Sequence, residues 1–419
     1  MSESCVLGLG YVGLPLAVAL AERAIPVVGL DVNAARVREL AEGHSGIEDI
    51  SGERLEAALH GTLRVTTSID DAAAADTYVI CVPTPLHESL PDLSAVTAAS
   101  QAVASVLGPG DLVILESTTY PGTTEELLVP ILEAGSGLVS EKDFNLAYSP
   151  ERIDPGNSTW RLENTPKVVG GASDEGRDRA TDFYGQVVET VVPVSGTREA
   201  EMAKLLENTF RHVNIALMNE MALFCHELDI DLWSVVDAAS TKPFGFMPFY
   251  PGPGVGGHCI PVDPSYLSWR VRKLGYPFRF VELAQEINDR MPSYVVARLA
   301  DLLNDQGKAL STSSVLCIGV AYKPDIGDTR ESPAIEVARR LLGKNAMVQY
   351  HDPHVPMVNV GGTKLFSVPM TEQLLESSDA VVILTPHSSV DLKQLVAHSG
   401  LVLDTRAAIT ERVSSVHRL

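Results

Sequence analysis

The sequence predicts an α/β protein with two parallel-sheet domains joined by a long central helix. Three observations carry this. Short β-branched runs alternate with Ala-rich helical stretches in the first half of the chain, and the same alternation returns in the last third. Between them, residues 197–228 contain neither Pro nor Gly. Strands alternating with helices imply βαβ units and a parallel sheet.

Taken in order, Val6-Leu7 is a strand running into a Gly-rich turn, and residues 14–24 have helical composition. Residues 27–31, 78–82 and 112–115 are further apolar strands, the last two ending in loops with Pro, Thr and Ser. In residues 197–228 the positions Met202, Leu205, Leu206, Thr209, Val213, Ala216 and Leu217 recur at helical spacing, which predicts one long helix. The Gly/Pro-rich residues 242–264 read as irregular. Strands are expected again at 314–320, 347–350, 380–384 and 401–403, with a helix at 335–342. The division expected is residues 1–196, 197–305 and 306–419. Ligands in such sheets sit beyond the C-terminal ends of the strands, so the loops there are where chemistry is sought.

Composition narrows the function. The chain has 419 residues, 45% of them hydrophobic, enough for several cores. Its net charge of -22, from 32 basic and 54 acidic side chains, repels phosphate backbones and anionic lipid, so neither nucleic acid nor a membrane is expected as a partner. No basic leader segment is visible and no apolar run reaches the roughly 20 residues a membrane span needs. The five cysteines are scattered, without CxxC spacing, which suggests neither zinc nor a disulfide frame. A cytoplasmic protein without a bound metal is expected.

Residues 6–15 contain G-x-G-x-x-G between a strand and a helix, with Asp31 eighteen residues beyond Gly13, at the end of the next strand. This is the context that a dinucleotide fingerprint requires. Gly8 permits the turn, Gly10 lets backbone approach a pyrophosphate, and Gly13 lets helix and strand close up. Asp31 would bond the ribose hydroxyls and repel a 2′-phosphate, favouring NAD, while Arg36 is a possible partner for such a phosphate. The first domain is therefore Rossmann-like. The last is a second Rossmann-like domain with only Gly319 after its strand, expected to bind part of a ligand.

The segment 251–264 (PGPGVGGHCIPVDP) holds Cys259 in a Gly-rich loop with Asp263 four residues on. From this setting Cys259 is either a reactive thiol or a buried loop cysteine. Cys5, Cys81, Cys225 and Cys317 read as core residues, and His258 as structural, because adjacent side chains point apart. Lys204, Asn208 and Arg211 share one helical face. They could polarise an oxygen and hold an anion, or form a solvated face, as Glu201 and Glu207 off that stripe do.

Several motifs in one order resemble the nucleotide-sugar dehydrogenases, the group that includes UDP-glucose and GDP-mannose dehydrogenases. They are GLGYVGLP from Gly8, ESTTYPGT at 116–123, SPER at 149–152, KLLEN at 204–208, GGHCIPVDP at 256–264 and KPDIGDTR at 323–330. The resemblance implies a four-electron oxidation of a sugar C6 alcohol to a carboxylate with two NAD⁺. It implies Cys259 as covalent nucleophile, Lys204 and Asn208 as oxyanion stabilisers, Asp263 and Thr118 near the nucleophile, and Glu151 in hydrolysis. Tyr11, Val12, Thr84, Thr118 and Arg330 join Gly8, Gly10, Gly13, Asp31 and Arg36 as the implied cofactor contacts. The UDP-sugar is implied to lie between the terminal domains. Its implied contacts are Glu151, Arg152, Lys204, Asn208, Arg211, Tyr250, Gly252, Gly256, Lys323 and Arg406.

The PER…DPGN and GGHCIPVDP versions are similar to enzymes acting on UDP-N-acetylhexosamines. UDP-N-acetylglucosamine is expected ahead of UDP-N-acetylmannosamine, and UDP-glucose third. A two-electron hydroxyacid dehydrogenase and a non-catalytic nucleotide sensor are the rival classes. A homodimer or larger assembly is implied, with Leu217, Met218 and Met221 as candidate contacts.

Overall fold

The computed structural model describes residues 3–47, 49–87, 90–154, 156–157, 159–257 and 260–419. They form two compact units, Met1–Glu207 with Ser265–Tyr276, and Asn208–Pro264 with Pro277–Leu419.

In the first unit eight strands make one sheet: β1 (Glu3–Leu7), β2 (Val27–Leu30), β3 (Leu63–Thr66), β4 (Ala75–Ile80), β5 (Leu112–Leu115), β6 (Asn145–Tyr148), β7 (Lys167–Gly171) and β8 (Val191–Val194). Their order is β8-β7-β6-β5-β4-β1-β2-β3. The six strands β6-β5-β4-β1-β2-β3 are parallel neighbours, which is the doubly wound dinucleotide-binding order. The sheet is not wholly parallel, since β6 and β7 run antiparallel, pairing Tyr148 with Gly170.

Successive residues along a strand serve opposite faces. Val6, Val79 and Ile114 belong to the core containing Leu16, Leu20 and Leu55. Their neighbours Leu7, Tyr78 and Leu115 belong to the core containing Val103, Leu132 and Tyr148. Burial on both sides is why these strands read as unbroken apolar runs. Helix α1 (Gly13–Glu22) follows β1 directly, and α2 (Asp174–Tyr184) buries Ala180, Phe183 and Tyr184.

The long helix predicted at 197–228 is α3 (Thr197–Glu227), and the boundary between units falls within it, after Glu207. Its apolar spacing resolves into two faces. Leu205, Thr209 and Ala216 are buried, whereas Met202, Leu206, Phe210, Leu217 and Phe224 are exposed. Of the three residues expected to face a second copy, Met218 and Met221 instead pack in the second unit's own core, and only Leu217 is open. Residues 242–262 are irregular where described, and α4 (Asp263–Lys273) takes in Asp263 and Pro264, the last two residues of the stretch read as irregular.

The second unit holds α5 (Arg279–Asp305), α6 (Pro333–Gly343) and a five-stranded sheet. Its strands are β9 (Ser314–Ile318), β10 (Met347–His351), β11 (Ala380–Ile383), β12 (Val402–Asp404) and β13 (Val416–Arg418), in the order β10-β9-β11-β12-β13 and all parallel. This is the second doubly wound order, with its switch point between β9 and β11. β13 is a short edge strand that the apolar pattern did not announce. Cys5, Cys81, Cys225 and Cys317 are all buried, as expected.

One carboxylate ties the strand ends of this second sheet together. Asp352, at the end of β10, accepts at Oδ2 from the amides of Val320 (2.7 Å) and Ala321 (3.2 Å). At Oδ1 it accepts from those of His354 (2.8 Å) and Val355 (3.0 Å). His387 Nε2 lies 3.0 Å from the same carboxylate, and its Nδ1 accepts from the Asp325 amide at 3.0 Å. Asp325, His354 and His387 converge within 4.8 Å, but both ring nitrogens of His387 are already committed to these bonds.

Burial opposes ionisation of Asp352, yet His387 and the amides outweigh it and hold the carboxyl down at about 2. A depressed carboxyl stabilises the fold above its unfolded value and loses that contribution as pH falls through the folded one. Asp352→Asn is expected to cost about 2 kcal/mol at neutral pH. In urea denaturation the gap between wild type and variant should narrow below about pH 4.

Candidate active site

At the switch point of the first sheet, β1 ends in the Gly-rich loop. Gly8 has φ of 93°, a conformation closed to most side chains. A Cβ on Gly13 would overlap the Gly8 carbonyl oxygen and come within 3.0 Å of Val6 Cγ1 and 3.1 Å of Cys81 Cβ. A Cβ on Gly10 would meet nothing within 4 Å. Gly13 therefore serves packing, while Gly10 keeps open the space above the loop. No side chain caps α1; the Leu14 amide bonds the Gly10 carbonyl at 3.2 Å, and the amides ahead of it can face an anion. Tyr11 and Val12 stand half-buried in the same loop.

Asp31 is half-buried and holds this loop, accepting from the amides of Leu9 (3.0 Å) and Asn33 (2.9 Å). Arg36 forks onto the Leu9 carbonyl through Nε and Nη2, both at 3.2 Å. The guanidinium read as a possible 2′-phosphate partner is thus committed to the loop. An open space over Gly10, uncapped amides and an acid at the second strand suit NAD. Thr84 is buried, and its carbonyl accepts from the Tyr266 hydroxyl at 2.8 Å. Thr118 is half-buried after β5, while the hydroxyl of its neighbour Thr119 is buried without a partner among the described residues.

Beneath the same strand ends lies a buried charge cluster. Lys167 Nζ bonds Glu116 Oε1 and lies 3.2 Å from Glu151 Oε2. Glu151 Oε1 accepts from the amides of Arg152 and Ile153, both at 2.5 Å. Glu116 Oε2 accepts from the Tyr184 hydroxyl at 2.7 Å. Burial pushes Glu116 up despite Lys167. Burial pushes Glu151 the same way, but Lys167, the Ile153 amide, Glu116 and Lys204 together hold it below the usual range. Arg152 is pinned by Glu207 at 2.7 Å and by the Pro166 carbonyl at 2.6 Å.

Lys204 and Asn208 are buried on α3 and Arg211, one turn on, is exposed, so the stripe is neither a uniform site nor a solvated face. Glu201, read from spacing as solvated, is fully buried. It accepts from the Gly122 amide (2.5 Å), the Thr124 amide (2.9 Å) and the Thr124 hydroxyl (2.7 Å), and burial pushes it up to about 7. Glu207 is half-buried against Arg152 rather than loose in solvent.

In the second unit Asn208 Nδ2 donates to Asp263 Oδ2 at 2.5 Å, with both side chains buried. The loop before Asp263 is pinned at several points. Gly252 donates to Asn219 Oδ1 at 2.9 Å, and a Cβ there would come within 2.5 Å of Arg406 Nη1. Arg406 donates through Nε to the Leu384 carbonyl at 3.0 Å, and burial, partly offset by Asp404, lowers it to about 10. A Cβ on Gly256 would lie 2.8 Å from Tyr322 Cβ, and the Gly257 amide donates to the Arg330 carbonyl at 3.0 Å. Cys259 and His258 lie outside the described residues. Tyr250 is exposed with its hydroxyl on Asp237 at 2.7 Å, Lys323 is half-buried, and Arg330 is exposed and paired with Asp328.

Sequence reasoning missed Lys167, Glu116, Asn219 and Glu201. The signal for Lys167 was a cation opening an apolar strand, and for Glu116 an acid closing one.

Residues 2–188 match the NAD binding domain of the UDP-glucose/GDP-mannose dehydrogenase family, residues 198–290 its central domain and residues 316–411 its UDP binding domain. The chain is 39% identical over 352 residues to a UDP-N-acetyl-D-glucosamine 6-dehydrogenase of Pseudomonas aeruginosa, covering 84% of this chain and 82% of that one. It is 36% identical over 402 residues to a UDP-N-acetyl-D-mannosamine dehydrogenase of Escherichia coli K12, covering 91% and 93%. The solved structure of a UDP-D-ManNAc dehydrogenase from Pyrococcus horikoshii superposes with a TM-score of 0.89 at 34% identity, covering 99% of this chain and 98% of that one. The chain belongs to the UDP-glucose/GDP-mannose dehydrogenase family. It is an NAD-dependent oxidoreductase acting on a nucleotide sugar. No helix among the described residues is long and apolar enough to cross a membrane.

The two loop glycines should separate packing from binding. Gly13→Ala is expected to lower stability by about 1–3 kcal/mol and to weaken NAD binding. Gly10→Ala should leave the melting temperature close to wild type while cutting NAD affinity by about tenfold or more in calorimetric titration.

Proposed function

We propose that this enzyme oxidises the C6 alcohol of UDP-N-acetylglucosamine to the uronate, with Cys259 as covalent nucleophile. The observation that carries this reading is the buried Asn208–Asp263 pair at 2.5 Å, with Cys259 four residues before Asp263 and Lys204 one turn before Asn208. An amide bonded to a carboxylate, with a cysteine four residues before that carboxylate in sequence and an ammonium one turn back on the amide's own helix, suits an aldehyde that must be held between two oxidations.

NAD, held by Gly8, Gly10, Tyr11, Val12 and Gly13 with Asp31, Arg36, Thr84, Thr118 and Arg330, supplies the electron acceptor for both oxidations. Lys204 assists loss of the C6 hydroxyl proton, and Asn208 donates to the same oxygen. The Cys259 thiolate then adds to the aldehyde carbon. The new C–S bond leaves an oxyanion that Lys204 and Asn208 stabilise. After the second oxidation the sugar is a thioester on Cys259. Glu151 takes a proton from water as the water oxygen bonds to the thioester carbon, and the sulfur leaves with its electron pair. Asp263 orients Asn208 and, with Thr118, the water.

Arg152, Arg211, Tyr250, Gly252, Gly256, Lys323 and Arg406 are the proposed substrate contacts besides Glu151, Lys204 and Asn208. The names of the relatives favour an N-acetylhexosamine, with UDP-N-acetylmannosamine as the second reading. The exposed apolar stripe of Met202, Leu206, Phe210, Leu217 and Phe224 on α3 favours a homodimer or larger assembly; a cytoplasmic setting is proposed from the scattered, unpaired spacing of the cysteines. The segments 1–196, 197–305 and 306–419 are proposed as cofactor-binding, central and UDP-sugar-binding.

Two NADH per UDP-N-acetylglucosamine, followed at the NADH absorbance with limiting sugar, is the expected stoichiometry. One NADH per sugar would identify a two-electron enzyme instead. Cys259→Ser should cut uronate formation by about a thousandfold or more. An unimpaired variant would remove the covalent route.

A further inference from the structure

We propose that Lys167 is the positioning residue for Glu151, its buried ammonium holding that carboxylate in place and charged for the hydrolytic half of the reaction. This rests on the reading of Glu151 as the base that activates water.

The cluster is asymmetric. Lys167 opens β7 with only 2% of its surface exposed, and its ammonium bonds two carboxylates. A buried lysine needs one ionised partner, and of its two carboxylates Glu151 is the one held below the usual range while burial pushes Glu116 up to about 7. The Glu116 side chain has no exposure, and its second oxygen is taken by Tyr184. It cannot reach a ligand. The Glu151 side chain, by contrast, keeps 12% exposure. Of the two acids it is the one with an open side.

Both Glu151 oxygens are nonetheless fixed. The amides of Arg152 and Ile153 hold Oε1, and Lys167 holds Oε2. A carboxylate clamped this way loses little orientational freedom when water approaches. The titratable groups of the cluster come from five elements: Lys167 on β7, Glu116 after β5, Cys81 after β4 and Lys204 on α3 act on Glu151, and Tyr184 on α2 reaches it through Glu116. The two cations favour its charged form, as a proton acceptor requires, and burial alone opposes it.

In the step concerned the water oxygen bonds to the thioester carbon, its proton passes to Glu151, and the C–S bond breaks with the electron pair going to sulfur. Without Lys167, Glu151 keeps its proton to higher pH, so the acidic limb of this step moves upward.

Single-turnover reactions of the full enzyme with NAD and UDP-N-acetylglucosamine, quenched and read as the mass adduct on Cys259, give thioester decay between about pH 5 and about pH 9. Lys167→Met is expected to move the acidic limb up by about one pH unit or more, slowing decay at least about tenfold below it. Lys167→Met combined with Glu116→Gln removes the cation and the fully enclosed acid together, leaving Glu151, the acid with an open side, as the one titrating carboxylate of the trio. It should show the same upward displacement. Lys167→Arg should bring the limb back to its wild-type position. A double variant with the wild-type limb, while Glu151→Gln still traps the adduct, would overturn the role of Lys167 alone. Absence of a trapped adduct in Glu151→Gln would overturn the reading of Glu151, and this inference with it.

Discussion

A parallel sheet covered on both faces has nowhere to put a polar side chain except beyond its strand ends. Most of what is functional in the first unit follows from that constraint. Val6, Val79 and Ile114 are spent on one core and Leu7, Tyr78 and Leu115 on the other, so the strands themselves carry no chemistry. The fingerprint loop, Asp31, Thr84, Glu116, Thr118 and Glu151 all lie where the strands stop. Lys167 is the exception, a charge at the start of β7. It is tolerable there because β7 runs antiparallel to β6, which brings its beginning to the end where the other strands terminate. The one departure from parallel order is therefore what admits a cation to the functional edge.

The fold was largely legible because that burial imposes a pattern on sequence. Runs such as Leu112–Leu115 and residues 380–384 have no competing interpretation when they recur between helices. The fingerprint was legible for another reason: three glycines and an acid at fixed spacing answer separate steric demands, and the structure separates them at Gly10 and Gly13. What failed did so where a side chain's partner is distant in sequence. Glu201 looks solvated by helical phase, yet it receives amides from Gly122 and Thr124, some 77–79 residues earlier. Met218 and Met221 look available for a second subunit because the core that takes them includes α5, far downstream.

The loop preceding Asp263 is a different structural solution from the fingerprint loop. It has no regular structure of its own among the described residues, and its order comes from contacts to Asn219, Tyr322, Arg330 and Arg406. Its glycines are contact surfaces. Gly252 leaves room for the Arg406 guanidinium and Gly256 for Tyr322. A loop held from several sides can present a side chain as firmly as a helix does, provided none of those contacts is lost.

The four described cysteines are buried, and burial foremost raises the thiols of Cys5, Cys81 and Cys317 well out of the neutral range. Thiolate is the form that alkylating and disulfide reagents attack. The folded chain therefore carries its own silent background for thiol chemistry. A maleimide or fluorescent iodoacetamide added to native protein meets four buried sulfurs, so label reaching any of them reports that the packing around it has opened. The same packing that shields them turns these four positions, without engineering, into reporters of local unfolding.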